Sequence, residues 1–379
     1  AFFPGGVRDQ LFVHVNTPVG TSLEAPEAIV AQVEDIILRT SDQGTEGDGQ
    51  ERLVSATSFV GIGGPRMILS LDPEESVPNY AMVLINTSDA NLSRSWVDEL
   101  REEVAAIPGA RIDVRPYMTG PPVDNPVEFR FIGQDLDVMR SVGRELLNEF
   151  LETPGTITPY DDWGEMVNTI DLEIDSDRAY LEGVTSRSIS EELALLYGGG
   201  RLTTLREGDH LVDIMLRLTE SERKSVDSLD QATIRSSGGN VPLTSVASID
   251  SGFEYGVIRR RNRERCLSVG SQAAEGFLAN SITADIGERL ESIIEPLPLG
   301  YRLEIGGEAD ESADAQQSVR SAFMISVMLI FLVLLVQYNS LTKPIVVLTA
   351  FPLALIGAML GLFLSGWPLG FMPLLGIVA

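Results

Sequence analysis

The pattern of hydrophobic and polar positions reads as a strand from Leu11 to Val15 and returns as one from Leu53 to Val60. Between them apolar residues recur at helical spacing to about Leu38, behind Ser22, a residue suited to capping a helix. The same strand, helix, strand order is predicted three more times. One copy runs through Tyr80 to Ile85, Leu92 to Ile107 and Arg111 to Val114; another through Val127 to Ile132, Leu136 to Leu151 and Thr156 to Thr158. Pro108-Gly109 and Pro154-Gly155 supply the helix stops. The fourth copy takes Cys266 to Ser271, Ser281 to Ile294 and Tyr301 to Ile305.

Four units suggest two pairs, each a ferredoxin-like split βαβ layer, so the fold class expected is α+β. The third and fourth units are far apart in sequence, and their pairing requires an inserted region near Thr169 to Val257. That insertion has a hairpin signal of its own, Arg201 to Leu205 and His210 to Leu218 around Glu207-Gly208-Asp209. A second pair of short strands is expected around Gly238-Gly239-Asn240.

The alternation then gives way to apolar runs. Ser321 to Thr342 is 22 residues without a charge, enough for a helix to cross a bilayer. A second uncharged run predicts a span over Ile345 to Leu364, closed by Ser365-Gly366-Trp367-Pro368, and Phe371 to Ala379 opens a third segment too short to cross. The sequence reads as an internal fragment, without an initiator Met at Ala1. Lys343, the only charge between the two spans, puts their connecting loop on the cytoplasmic side and residues 1 to 314 outside.

Charge sharpens the division. The chain of 379 residues carries a formal net charge of -27, and no acidic residue follows Asp314. Residues 1 to 314 hold 26 basic against 55 acidic residues, a surface that repels nucleic acid. Cys266 stands alone, which excludes an intrachain disulfide and a cysteine-based zinc site, and His14 and His210 leave little for histidine chemistry. Neither a nucleophile elbow nor a metal-binding His-x-x-x-His is present, so no catalytic residue, metal site or cofactor is expected.

Several runs carry a family likeness. Gln337-Tyr-Asn-Ser-Leu-Thr-Lys-Pro344, Phe351-Pro-Leu-Ala-Leu-Ile-Gly357, Gly361 and Leu369-Gly-Phe-Met-Pro-Leu-Leu-Gly376 resemble the eighth to tenth transmembrane segments of resistance-nodulation-division (RND) efflux pumps. Phe2-Phe-Pro4, Pro18-x-Gly20-Thr-Ser22, Gly120-Pro-Pro122 and Ile258-x-Arg260-x-Asn262-x-x-Arg265 agree, with Arg263 standing where the family usually has Gly. The resemblance implies a proton-driven homotrimer of the inner membrane, with residues 1–314 in the periplasm, a membrane-fusion adaptor and an outer-membrane channel as partners, and hydrophobic or amphiphilic small molecules as cargo. It divides the chain into porter subdomains at 1–122 and at 123–168 plus 258–312, a docking subdomain at 169–257, spans at 318–342 and 344–365, and the start of a third at 369–379. The family's proton relay lies in regions this sequence does not contain.

Phe59-Val-Gly-Ile-Gly-Gly-Pro65 lacks the Lys-Ser/Thr of a phosphate cradle. Its glycines predict a mobile loop, and by position it resembles the family's switch loop, with Phe59, Ile62 and Met67 offering apolar surface to cargo and Gly61, Gly63, Gly64 and Pro65 shaping it. An alternative packs Phe59 and Met67 into the sheet core. Glu308, Asp310, Glu311 and Asp314 read as solvation of the linker before the first span more than as a cation site. Two further functions stay open: an RND-superfamily envelope factor exporting proteins, lipids or metal ions, and a membrane-anchored enzyme, for which a catalytic group is missing.

Overall fold

The computed structural model describes residues 8–48, 52–66, 73–117, 123–223, 225–236, 238–294 and 300–365. Phe2-Phe-Pro4, Met67, Gly120-Pro-Pro122 and the start of the third apolar segment lie outside them. The chain divides into two compact units, residues 1–165 with 255–379, and residues 166–254.

The first unit opens with β1 (Gln10–Asn16), α1 (Glu24–Asp48), β2 (Leu53–Val60), β3 (Tyr80–Thr87), α2 (Ala90–Val104) and β4 (Arg111–Pro116). Its strands form one antiparallel sheet in the order β2-β3-β1-β4, with the first and third strands central, as a ferredoxin-like layer requires. Asp89 caps α2 by accepting from Asn91 N at 2.8 Å, and the helix then buries Ser93, Trp96, Val97, Leu100 and Val104, one stripe of helical period. That stripe meets Val30, Val33 and Ile37 of α1 and the inward residues Leu11, Val13, Val15, Ala81, Val83 and Ile85.

The chain continues with β5 (Val127–Gly133), α3 (Leu136–Glu152) and β6 (Thr156–Asp161) and then enters the second unit. There β7 (Met166–Ile174) leads through α4 (Ser176–Leu181), α5 (Ser186–Leu193) and a π turn to the hairpin of β8 (Gly200–Glu207) and β9 (His210–Leu216). After two short helices, α6 (Glu220–Arg223) and α7 (Asp227–Asp230), β10 (Thr233–Ser236) and β11 (Gly239–Pro242) pair, α8 (Leu243–Val246) follows, and β12 (Ala247–Tyr255) pairs with β7. Asp175 N bonds Val246 O at 2.9 Å, and Gly252 lies against the side chains of Thr169 and Asp171. The unit's own core joins Ala179, Val184, Ile189, Leu229, Ile234, Leu243 and Val246.

Back in the first unit, β13 (Arg260–Arg261), β14 (Glu264–Ala273), α9 (Ala279–Ile294) and β15 (Arg302–Gly306) complete the second sheet. β14 lies between β5 and β6, and β15 flanks β5, so this layer repeats the order of the first. Leu267 sits opposite Phe131 although Met166–Glu254 intervenes. Phe129, Phe131, Met139, Leu146, Phe150, Trp163, Leu267, Ile282 and Ile286 form the core under its two helices.

Asn262 and Arg263 connect β13 to β14 as a two-residue loop, with φ of 52° and 73°. Left-handed backbone at both positions fits a type I′ turn, whose second residue is best a glycine. The side chain at Arg263 opposes that geometry, so Arg263→Gly is expected to stabilise the fold by about 1 kcal/mol. Denaturant unfolding of the detergent-solubilised chain measures this, and an unchanged or lowered midpoint counts against it.

α10 (Gly307–Tyr338) is one continuous helix whose Ser321–Tyr338 segment is apolar and long enough to cross a membrane, the one such helix among the described residues. The expected second span is divided into α11 (Thr342–Leu348) and α12 (Ala350–Ser365), with Thr349 between them. Pro352 explains the division, because it has no N–H for the Leu348 carbonyl.

Candidate functional site

The two helices of the first sheet cover one face. The other face carries a second cluster, Phe12, Tyr80, Met82 and Leu84, with Phe59, Val77 and Tyr117 packed against it. Phe59, next to last in β2, lies directly across from Met82. The chain then turns at Gly61, whose N–H donates to Tyr80 O at 2.8 Å and whose carbonyl accepts from Val77 N at 3.0 Å. Gly63 donates to Glu74 O at 3.0 Å. Gly64, at φ 75°, brings the loop back over Phe59 and Met82, so that a Cβ there would lie 2.9 Å from Met82 Cε.

The loop is therefore tethered to the backbone of residues 74–80. Phe59 and Gly64 come together at the cluster; Ile62 is 43% exposed and stands outside it, and Pro65 is exposed. A Cβ at Gly63 would lie 2.4 Å from Glu74 N, so this glycine serves close approach of two backbones. Gly63→Ala is expected to push the strands of the loop apart, costing about 1–3 kcal/mol and speeding exchange of the residue 63 amide. Exchange measured by mass spectrometry at wild-type rate would rule this out.

Sequence reasoning missed what lies beside the loop. The cross-strand register places Met82, His14 and Asp113 in a row over β3, β1 and β4, all on this face. Directly opposed residues in a sheet have Cβ atoms about 5 Å apart. His14 Nδ1 lies 2.7 Å from Tyr80 Oη. Burial lowers the His14 pKa to about 4, reinforced by Arg115 and Arg111 against an opposing pull from Asp113, so the imidazole is neutral at neutral pH. Burial raises the Tyr80 hydroxyl as well, helped by Glu74. The Asp113 side chain is 4% exposed; its Oδ2 accepts from Arg115 Nε at 2.6 Å, while Oδ1 has no hydrogen-bond partner.

The row thus presents a thioether, a neutral imidazole and a carboxylate oxygen, walled by Phe12, Phe59 and Leu84. Such a set suits borderline and soft cations as well as polarisable organic groups. Among the described residues no three His, Cys, Asp or Glu side chains converge as a closed metal cage. The available signal was that Leu11-Phe-Val-His-Val15 is apolar at nearly every position, which marks a strand covered on both faces.

Other polar side chains with suggestive chemistry play structural parts. Asp161 pairs with Arg140 at 2.9 Å and accepts from the backbones of Trp163 and Gly164. Ser326 and Thr349 bond back to Ala322 O and Val346 O, and Cβ atoms at Gly357 and Gly361 would meet open space. In the arginine-rich segment Arg259–Arg265, Arg261 lies 3.6 Å from Glu304, and Arg265 donates to Gln134 O. The acidic cluster before the first span is not solvation alone, since Asp310 pairs with Arg130 at 2.9 Å and Glu308 is 9% exposed.

Two ferredoxin-like layers, one of them interrupted by an inserted unit and continuing into a membrane-length helix, make up the described architecture. The profile of the AcrB/AcrD/AcrF family matches residues 1–379, and the chain belongs to that family of RND efflux transporters. Similar curated proteins include the cobalt-zinc-cadmium resistance protein CzcA of Cupriavidus metallidurans, 23% identical over 294 residues, which cover 74% of this chain and 27% of that protein. Protein HelA of Legionella pneumophila is 26% identical over 280 residues, covering 71% of this chain and 26% of its own length. The chain spans about a quarter of the length of these relatives. Crystal structures of a heavy metal efflux pump in two crystal forms superpose with TM-scores of 0.71 and 0.72, at 17% and 16% identity, over 99% and 98% of this chain and 39% and 38% of theirs.

Proposed function

We propose that this chain is the second periplasmic portion, with adjoining membrane helices, of an RND exporter whose cargo is a metal cation. The relatives named for cobalt, zinc, cadmium and heavy metals favour this over the export of hydrophobic or amphiphilic compounds. What supports it in the chain is the row of Met82, His14 and Asp113, where a neutral imidazole keeps a lone pair for a cation at neutral pH. With no third charged or imidazole ligand converging among the described residues, the row is a foothold for a passing ion, bound weakly enough to leave. The acidic composition of residues 1–314 raises the local cation concentration. The Phe12, Phe59, Leu84 and Tyr117 wall favours amphiphilic cargo as the second reading.

On this reading the protein sits in the inner membrane with residues 1–314 in the periplasm, works as a transporter, and draws its proton coupling from regions outside this sequence. Cells carrying the full-length pump, with His14→Ala and Asp113→Asn variants, are to be scored for tolerance of zinc, cobalt and cadmium and of a cationic dye. Lost metal tolerance at normal protein level is the expected result. Intact metal tolerance with lost dye tolerance transfers the cargo to the second reading, and no change in either removes the row from transport.

The proposal includes a homotrimer docked to a periplasmic adaptor and an outer-membrane channel. The β8–β9 hairpin offers one contact, because Leu205, Val212, Ile214 and Leu216 share a face of a two-stranded ribbon and are all exposed. Ile214→Glu is expected to reduce cross-linked trimer of the full-length protein several-fold without reducing its amount. Wild-type trimer yield would exclude this face from assembly.

A further inference from the structure

Arg130 lies on β5, a central strand of the second sheet, and alternates with the core residues Phe129 and Phe131, so it faces away from that core. Its side chain is only 17% exposed. Two of its nitrogens are held by Glu128 on the same strand, Nε to Oε1 at 3.0 Å and Nη2 to Oε2 at 3.1 Å. A guanidinium fixed in this bidentate fork has its third nitrogen aimed in one direction. That nitrogen, Nη1, donates to Asp310 Oδ2 at 2.9 Å.

Asp310 belongs to the first turn of α10, the helix that runs without interruption into the apolar Ser321–Tyr338 segment. The same turn is fastened to β5 through its backbone. Gly307 bridges Val127, and Glu308 N donates to Pro126 O at 2.9 Å. At φ 66°, a Cβ on Gly307 would lie 2.5 Å from Asn125 O. A Cβ at Gly306 would lie 2.7 Å from Arg130 Cζ, so the chain passes directly over the guanidinium as β15 becomes α10. The backbone bonds fix the first residues of the helix, and the ion pair fixes its direction three residues further on. A helix hydrogen-bonded throughout passes a displacement at one end to the other.

We propose that the Arg130–Asp310 pair is a mechanical coupler, making Arg130 a positioning residue that transmits movement of the membrane helix to the central strand of the second sheet. The proposal rests on the transporter reading above. Glu311, the next residue of α10, is exposed, and its replacement serves as the control.

The test uses the full-length pump with Asp310→Ala, the conservative Asp310→Glu, and Glu311→Ala. Spin labels at Ser318 on α10 and Glu145 on α3, both exposed, report by pulsed dipolar spectroscopy how firmly the helix is held to the sheet. Asp310→Ala is expected to broaden the distance distribution and to cut cation tolerance roughly tenfold at unchanged protein level, with Asp310→Glu restoring both and Glu311→Ala changing neither. A narrow distribution in Asp310→Ala overturns the coupler, as does wild-type tolerance in a pump that exports. Loss of folded protein in Asp310→Ala, with Asp310→Glu folded but still broadened, also overturns it and leaves the pair a purely structural bond. The distance measurement needs no cargo, so it stands apart from the choice between metal and amphiphile.

Discussion

Asp162→Asn is expected to stabilise the protein by up to about 3 kcal/mol at pH 7.5 and by almost nothing near pH 4. Burial beside β14 raises the Asp162 pKa from 3.8 to about 6, against the opposing hydrogen bonds from Ser268 and the charge of Arg259. The folded protein thus holds this proton more tightly than the unfolded chain. The contribution is fully present below about pH 4 and is lost as pH rises through about 6. Asn keeps an oxygen to accept the Ser268 N–H, 2.8 Å away in the wild type, and has no charge to bury. His14 runs the other way: its pKa falls from 6.5 to about 4, so its contribution is present above about pH 6.5 and is lost as pH falls through about 4. His14→Gln should therefore lose least against wild type at low pH. Urea unfolding of each variant across pH 4–7.5 gives both slopes, and an Asp162→Asn effect that is the same at every pH would refute the assignment.

Trp96→Ala is expected to cost about 4 kcal/mol. The indole is fully buried between α1, α2 and the first sheet, and its Nε1 donates to Thr40 Oγ1 at 3.0 Å. Alanine removes the largest side chain of that core, and because both helices are pinned to the sheet, they cannot collapse into the space. Trp96→Phe should cost about half as much, since the ring refills most of the volume and Thr40 still donates to Ile36 O. Equilibrium unfolding of the two variants checks the pair. A loss below about 1 kcal/mol for alanine would mean that the helices are held by other contacts.

The two sandwiches were legible because each is built from local strand, helix, strand patterns punctuated by Pro-Gly, and the wide gap before Cys266 announced the insertion. The β7–β12 pair carries a signal too, Ile170, Leu172 and Ile174 against Asp171 and Glu173, yet its partner lies across the whole inserted unit, which no local pattern names. The glycine loop was visible as a loop; that Gly63 serves a backbone contact with Glu74 was not, since the demand comes from the other strand. His14 and Arg130 were passed over for the same reason. Their roles are set by Tyr80 and Asp113, and by Asp310, each brought close only by sheet register and helix placement.

β7 and β12 have a consequence for how this protein can change. Asp175 bonds near Val246 while Thr169 and Asp171 flank Gly252, so the contacts run in opposite order along the two strands and the inserted unit finishes beside where it starts. A segment with adjoining ends and its own core can be exchanged for another of different length without stretching the strands that hold it. The inserted unit is in this sense a cassette, free to diverge with whatever it meets while the two layers keep their packing.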